Sequence, residues 1–238
     1  MKICFITSLF GKSYNEGDKP GYFHKNDDYD YFLFTNHEAS LFRTSWNVIN
    51  INDCLSEITS NIIKSRYPKF MGWKLIKDKV EKEYDIIVYC DCYLCPRANL
   101  NWEMIGNDIL KHPSGIMQDL HIRNSYQELG AIVGARKDTK ERCDKLENFL
   151  KVNHFPSNII MPENTVFVYD PKNEALLNAF TDFWNEYYPY EKSHRDQPLW
   201  SYILWKHKLN PIFTKYKFMR NTFVQDNGKV GFNSHQYV

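Results

Sequence analysis

The chain has no apolar run approaching the roughly 20 residues that cross a bilayer, and no surplus of either charge. Its 30 Lys and Arg stand against 29 Asp and Glu, a formal net charge of +1. No strong field therefore draws it to nucleic acid or to a membrane surface, and neither is expected as a partner. Six cysteines in 238 residues fall far short of a disulfide scaffold. Cys90, Cys92 and Cys95 cluster, but a structural zinc site needs a second Cys or His pair, and none follows. Alternation along an extended chain turns Cys90 and Cys92 to the same side, into packing. Met1–Phe10 carries too short an apolar run, and no small-residue cleavage site, to be a signal peptide. A reduced, cytoplasmic location is the expectation. Internal repeats, low-complexity segments, a clear linker and a Gly-x-Gly-x-x-Gly phosphate loop are all absent, so residues 1–238 read as one domain.

What is abundant is aromatic: 16 Tyr, 16 Phe and 6 Trp, 16% of the chain. Flat rings suit stacking on sugars or bases, but composition alone favours a Phe- and Tyr-rich core. The pattern of elements predicts an α/β fold with a mixed sheet flanked by helices. Strands are expected at Lys2–Phe10, Tyr29–Thr35, Trp46–Ile51 and Tyr84–Asp91, and a bent strand pair at Asn158–Tyr169 around Pro162. Helices are expected from Asp53, as cap, to Lys64, from Lys69 to Lys82 with Pro68 in the first turn, and over Trp102–Leu110, His121–Val133, Thr139–Val152, Lys172–Tyr187 and Arg195–Lys206. The tail after Pro211 reads as irregular.

Tyr84–Asp91 is the most informative stretch, a buried strand delivering a carboxylate to its C-terminal end. Ligands of open α/β sheets sit at that edge, where Mg²⁺ or Mn²⁺ binds through one or two carboxylates and substrate phosphates. Capping a loop is an equally good role for Asp91 on spacing alone, and the position two residues on is Tyr93 rather than a second acid. Ser193-His194-Arg195-Asp196-Gln197 is a second concentration of polar groups. Ser193 reads as an N-cap with Asp196 at N3, which leaves His194, Arg195 and Gln197 unexplained and suits a polyhydroxylated ligand. His121, Arg123, Tyr126 and Glu128 form a third group, which is also the pattern of an ordinary solvated helix face. Thr7-Ser8-Leu9-Phe10-Gly11 closes the first strand with small hydroxyls, an aromatic ring and a glycine.

In this order, these segments resemble the GT-A-type glycosyltransferase-like proteins of plants and bacteria, and the glycosyltransferase domain of the capsid-glycosylating enzyme of large algal viruses. Thr7–Gly11 resembles the family's nucleotide loop. Phe32-Leu33-Phe34-Thr35-Asn36 resembles its Phe-Thr-Asp element, with Asn36 in place of Asp. Arg66-Tyr67-Pro68-Lys69 with the strand to Asp91 resembles its Arg-x-Pro-Lys helix and metal-site strand. Pro162-Glu163-Asn164, Phe183–Glu186 and Arg195-Asp196-Gln197 resemble its C-terminal half, and His121, Arg123 and Glu128 its middle helix.

The resemblance implies a GT-A-like single domain, with a nucleotide-binding half to about residue 95 and a sugar and acceptor half beyond it. It implies transfer of a sugar from a UDP-sugar to a glycan or protein-linked acceptor, metal-assisted and tilted toward retention, and it extends to a virus-encoded enzyme acting in host cytoplasm. Thr7, Ser8, Phe10, Gly11, Asn36, Arg66, Lys69 and Asp91 would bind the nucleotide, with Mn²⁺ or Mg²⁺ at Asp91 and His235 considered as a further ligand. Asp196, Gln197, Arg195 and His194 would carry catalysis and sugar orientation, with Asp196 either a general base or an oxocarbenium stabiliser. The alternatives are a metal-dependent nucleotide-sugar pyrophosphatase or nucleotidyltransferase, a non-catalytic carbohydrate-binding module and a cysteine-zinc interaction protein.

Overall fold

The computed structural model describes residues 1–14, 19–97, 100–189, 191–215, 217–221 and 223–225; His235 lies outside them. The strands are β1 (Ile3–Leu9), β2 (Tyr29–Thr35), β3 (Asn47–Asn50), β4 (Ile86–Cys90), β5 (Leu94–Pro96), β6 (Ile116–Asn124), β7 (Ile160–Tyr169), β8 (Ile212–Thr214) and β9 (Phe223–Gln225). The helices are α1 (Asn61–Leu75), α2 (Trp102–Lys111), α3 (Ser125–Gly134), α4 (Lys140–Val152), α5 (Glu174–Tyr187), α6 (Asp196–Lys206) and α7 (Phe218–Asn221). A seven-stranded sheet runs β3-β2-β1-β4-β7-β6-β8, and β5 pairs with β9 beside it. β1 to β4 are mutually parallel, β7 is antiparallel to both its neighbours, and β6 and β8 are parallel to each other. The carboxyl ends of β1, β4 and β6 therefore share an edge with the amino end of β7. The expected mixed sheet flanked by helices is what the chain forms.

The pleat sorts the core into two layers, because alternate side chains point to opposite faces. Cys4, Ile6, Phe34, Ile87, Tyr89, Phe167 and Tyr169 face α1, α3, α4, α5 and α6. Ile3, Phe5, Leu33, Val88, Cys90 and Val168 face Trp102, Ile105 and Ile109 of α2, with Met219 of α7. Most of the aromatic surplus fills the first layer. Phe70 lies 3.9 Å from Phe183 between ring centroids, Phe180 stacks on Trp200 at 5.1 Å, and Tyr89 stacks on Phe167 at 5.2 Å. α5 presents Leu176, Ala179, Phe180, Phe183 and Tyr187 to this layer at helical spacing, and Asn173 caps it by accepting the Leu176 N–H.

Several elements depart from the sequence expectation. Asp53 opens no long helix; Asn52–Leu55 is a short 3₁₀ turn, and Ser60 caps α1. Pro68 does not start a second helix but lies inside α1, which bends at Met71 (φ −107°, ψ 18°). A proline in a helix interior removes a hydrogen bond and costs about 3 kcal/mol, and burial of the whole run Pro68–Gly72 offsets it. His121 ends up on β6, not on a helix, because the ladders to β7 and β8 capture Ile116–Asn124. Ile160–Tyr169 is one strand, pairing with β4 on one side and β6 on the other, instead of two strands around Pro162. Past Pro211 the chain is not irregular throughout, since β8 joins the sheet edge and α7 covers part of the second layer.

Gly72 sets how closely α1 approaches β1. A Cβ there would lie 2.2 Å from Ile6 Cδ1 and 3.3 Å from the Tyr169 hydroxyl. Gly72→Ala gains about 1 kcal/mol of helix propensity but meets an overpacking cost of about 1–3 kcal/mol, so a net loss of stability is expected. Ile6→Val deletes the clashing methyl, and the double variant should be more stable than the sum of the two single effects. Strict additivity in denaturant melts would contradict this close approach.

Candidate active site

At the carboxyl edge, four distant segments meet around one buried carboxylate. Asp196, 5% exposed at its side chain and in the first turn of α6, lies 2.9 Å from Lys69 Nζ and 3.5 Å from Arg66 Nε. Arg66 and Lys69 are three residues apart on α1 and so share a face. Lys69 Nζ also lies 3.6 Å from Asp91 Oδ1 and 5.1 Å above the Tyr89 ring. Asp91 follows directly on β4, two residues past Tyr89 and on the same face, and the Tyr89 hydroxyl donates to Asp91 Oδ1 at 3.1 Å. The Asp91 N–H donates to the Thr165 carbonyl of β7 at 2.9 Å. Ser8, at the end of β1, donates to the Ser65 carbonyl at 2.9 Å, and Arg66 donates to Ser65 Oγ at 2.9 Å.

The electrostatics follow from burial and pairing. Burial pushes the Asp196 carboxyl up, but Lys69 and Arg66 outweigh it and hold it at about 2. Burial lowers the Arg66 pKa, and Asp196 together with Tyr187, Tyr89 and Asp91 more than reverses this, so the guanidinium stays charged. Burial, reinforced by Asp91, pushes the Tyr89 phenol well up; it is a neutral donor to Asp91. A general base works best with a pKa near the operating pH. Asp196, acidic and pinned by two cations, is poorly suited to take a proton and well suited to hold Arg66 and Lys69 in place.

The other expected residues divide. Gln197 is buried beside Asp196 in the same turn of α6. Arg195 occupies the N-cap position without a side-chain capping bond. Ser193 is not the cap: its hydroxyl donates to Asp138 Oδ2 at 2.8 Å. His194 turns to the same acid, its N–H at 2.8 Å and its Nδ1 at 3.1 Å from Asp138 Oδ2. Thr7 belongs to the opposite face of β1 from Ser8 and is fully buried. Phe10 is half-buried against the first core layer. Asn36 clamps Gly11, donating to its carbonyl at 2.9 Å and accepting its N–H at 3.3 Å, so the side chain is engaged in holding the exits of β1 and β2 together.

The resemblance implies a divalent metal at Asp91. Among the described residues no three His, Cys, Asp or Glu side chains gather at one point. Asp91 Oδ1 is already shared by Tyr89 and an ammonium, and Asp196 is taken by two cations. These side chains make no metal site built from protein ligands alone; a Mg²⁺ or Mn²⁺ here would be held by Asp91 with the phosphates of a bound nucleotide. The cysteine cluster is packing: Cys90 and Cys92 lie together in the second core layer, and burial pushes the Cys90 thiol well up, away from the thiolate that zinc requires. No helix among the described residues is long and apolar enough to cross a membrane. A cavity of about 580 Å³ lies at the opposite edge, against Lys2, Asp30, Lys82 and Tyr84, where the amino ends of β1 and β2 offer none of these groups.

No family model matches this chain. No curated protein matches it either. Among solved structures it is similar to mouse xyloside xylosyltransferase 1 in its apo form, with 9% identity and a TM-score of 0.48 over 90% of this chain and 84% of that one.

Sequence reasoning missed Tyr89, hidden inside an apolar strand, and Asp138, which lies 56 residues from His194 with no local motif linking them. It also missed the link from α6 to the sheet, where Trp200 Nε1 donates to Gln118 Oε1 at 3.0 Å and Gln118 donates to Asn164 Oδ1 at 3.0 Å. Asp138, its side chain 1% exposed, ties the loop that leads into Asp196. Burial pushes its carboxyl up, and His194 and Ser193 more than reverse this, to about 2. Because that value is below the unfolded one of about 3.9, the acid stabilises the fold above about pH 4, and the contribution disappears as pH falls toward 2. Asp138→Asn should cost about 2 kcal/mol at pH 7 and almost nothing at pH 2. Parallel stability curves for the two proteins across that range would contradict the assignment.

Proposed function

We propose that the chain is a glycosyltransferase, moving a sugar from a nucleoside-diphosphate sugar to a hydroxyl of a glycan or protein-linked acceptor. The observation that carries this reading is the pair Arg66 and Lys69, two cations on one face of α1, brought to the carboxyl edge of the sheet beside Asp91. When a glycosidic bond to a diphosphate breaks, negative charge develops on the leaving group, and fixed cations at that place lower the barrier. The cations are preorganised, since Asp196 holds both before any ligand arrives. Gln197, beside Asp196, is assigned to orient the donor sugar. Uridine is the nucleoside implied by the sequence resemblance, and residues 1–238 form one catalytic unit in this reading.

The rival readings fit less well. A pyrophosphatase or nucleotidyltransferase of the metal-dependent kind needs clustered acids, which the described residues do not supply. A carbohydrate-binding module uses exposed aromatic platforms; Trp102, Trp200, Phe70, Phe180 and Phe183 are buried in the core, and the exposed rings Tyr22, Tyr188, Trp205, Phe213 and Phe218 come from five separate segments of the chain.

UDP, UDP-sugars and GDP-sugars near a hundredfold excess over Kd should stabilise the protein by about 2.7 kcal/mol, a rise of about 5–10 °C in Tm, measured with and without Mn²⁺. Arg66→Gln and Lys69→Gln should remove most of that rise. Asp91→Ala and Asp196→Ala should abolish sugar transfer in protein that remains folded by circular dichroism. No rise with any nucleotide would count decisively against the proposal.

A further inference from the structure

If Asp196 is committed to its two cations, another group must receive the acceptor's proton. The ladder between β6 and β7 points to where it is. The pairing is regular to Gln118 and Phe167, then jumps so that Asp119 faces Glu163, and it jumps again between Leu120, opposite Pro162, and Asn124, opposite Ile160. β7 spends four residues against one of β6 at the first jump, and β6 four against two of β7 at the second. Bulges of this kind re-aim side chains beside active sites. Here they shift Glu163, opposite Asp119, out of the register set by Ile116–Gln118 and leave His121 between paired positions, at the edge that carries Asp91.

The two side chains meet. His121 Nε2 lies 3.7 Å from Glu163 Oε2, with the side chains 8% and 15% exposed. His121 Nδ1 accepts the Arg123 backbone N–H at 3.0 Å. An Nδ1 that accepts carries no proton, so the ring proton is on Nε2 and faces the carboxylate. The Thr165 hydroxyl donates to the other oxygen, Glu163 Oε1, at 2.6 Å. Thr165 is the residue whose carbonyl receives the Asp91 N–H, so the carboxylate is tied through one residue to the strand end that faces the donor.

The neighbouring acids are all committed. Asp196 is held by Lys69 and Arg66, Asp138 by Ser193 and His194, and Glu128 by Arg123 at 2.8 Å. Asp119 accepts the Met219 N–H at 2.7 Å and the Arg220 N–H at 3.1 Å. Glu163 accepts the Thr165 hydroxyl and faces the His121 ring across 3.7 Å. Among the described residues no Lys or Arg pairs with it.

We infer that Glu163 is the general base of the transfer reaction, with His121 and Thr165 as its positioning residues. This rests on the glycosyltransferase reading above. The acceptor hydroxyl gives its proton to Glu163 as its oxygen bonds to the anomeric carbon. The bond from that carbon to the diphosphate breaks, its electron pair leaves with the phosphate oxygen beside Arg66 and Lys69, and the proton passes from Glu163 to solvent. A base acting on an incoming acceptor opposite the leaving group inverts the anomeric centre. That outcome is contrary to the retention implied by the sequence resemblance.

The test uses the full chain with UDP-glucose, UDP-galactose, UDP-N-acetylglucosamine and GDP-mannose as donors and methyl glycosides as acceptors. Glu163→Gln should lower kcat at least about 100-fold, leaving donor KM and the nucleotide-induced Tm rise unchanged. His121→Ala should lower kcat by about tenfold or more, and His121→Gln, which restores a donor near the Nε2 position, should recover most of it. NMR of the product should show inversion. Full kcat in Glu163→Gln, or a product that retains the donor configuration, would overturn the inference while leaving the glycosyltransferase reading intact. A wild-type protein that neither binds nucleotide nor transfers sugar would overturn both.

Discussion

The carboxylate of Asp196, buried between Lys69 and Arg66, is the contact on which the site depends. It joins α6 to α1 across the sheet edge, two helices separated by more than 100 residues of chain. The cost is substantial, because three charged groups leave water together, and such clusters repay it only when their geometry is complete. The polar links around it serve that completeness. Trp200 anchors α6 to Gln118 on β6, and Asp138 anchors the approach to α6 through Ser193 and His194. On the other side Ser8 and Ser65 tie α1 to the end of β1. Remove any of these and the charges remain, but in the wrong places.

The sheet makes this convergence possible through one reversal. Strands β1 to β4 run in one direction and bring their carboxyl ends to the edge. β7 enters antiparallel, between β4 and β6, and brings its amino end there instead. Its bulged first half consequently lies next to Asp91, while its regular second half packs Phe167 and Tyr169 into the aromatic layer. The same strand supplies core at one end and part of the polar edge at the other. The hydrophobic layer under α1, α5 and α6 is thus the platform on which the polar edge stands.

Much of this was legible in the sequence, and the parts that were not share a cause. β2 could be read to its ends because Tyr29–Thr35 is bounded by polar turns, and α5 because its apolar residues recur at helical spacing. Asp91 could be placed at a strand end, and Asp196 at a helix start, from local pattern alone. His121 was misassigned because strand pairing with β7 and β8, a tertiary effect, overrode the local pattern. Local pattern puts Pro68 at a helix start, where proline is favoured, and only burial of the surrounding turn explains why the helix continues through it. Tyr89 and Asp138 carry no local signature, and Glu163 is visible only as part of Pro162-Glu163-Asn164, with no role attached. Their importance comes from partners that the fold delivers from far along the chain.

The bend of α1 at Met71, just past Pro68, carries a consequence for how the molecule is made. Arg66 and Lys69 lie in the turns before that bend, and their counter-charge arrives from α6, close to the end of the described chain. During synthesis from the amino terminus, β1 to β4 and α1 can collapse with their apolar layer, but they hold two cations with Asp91 as the nearby acid. Contacts this distant in sequence are slow to form, since the intervening loop must close first. The pairing of these charges therefore waits for α6, and a chain stopped before residue 196 would hold Arg66 and Lys69 without the carboxylate that positions them.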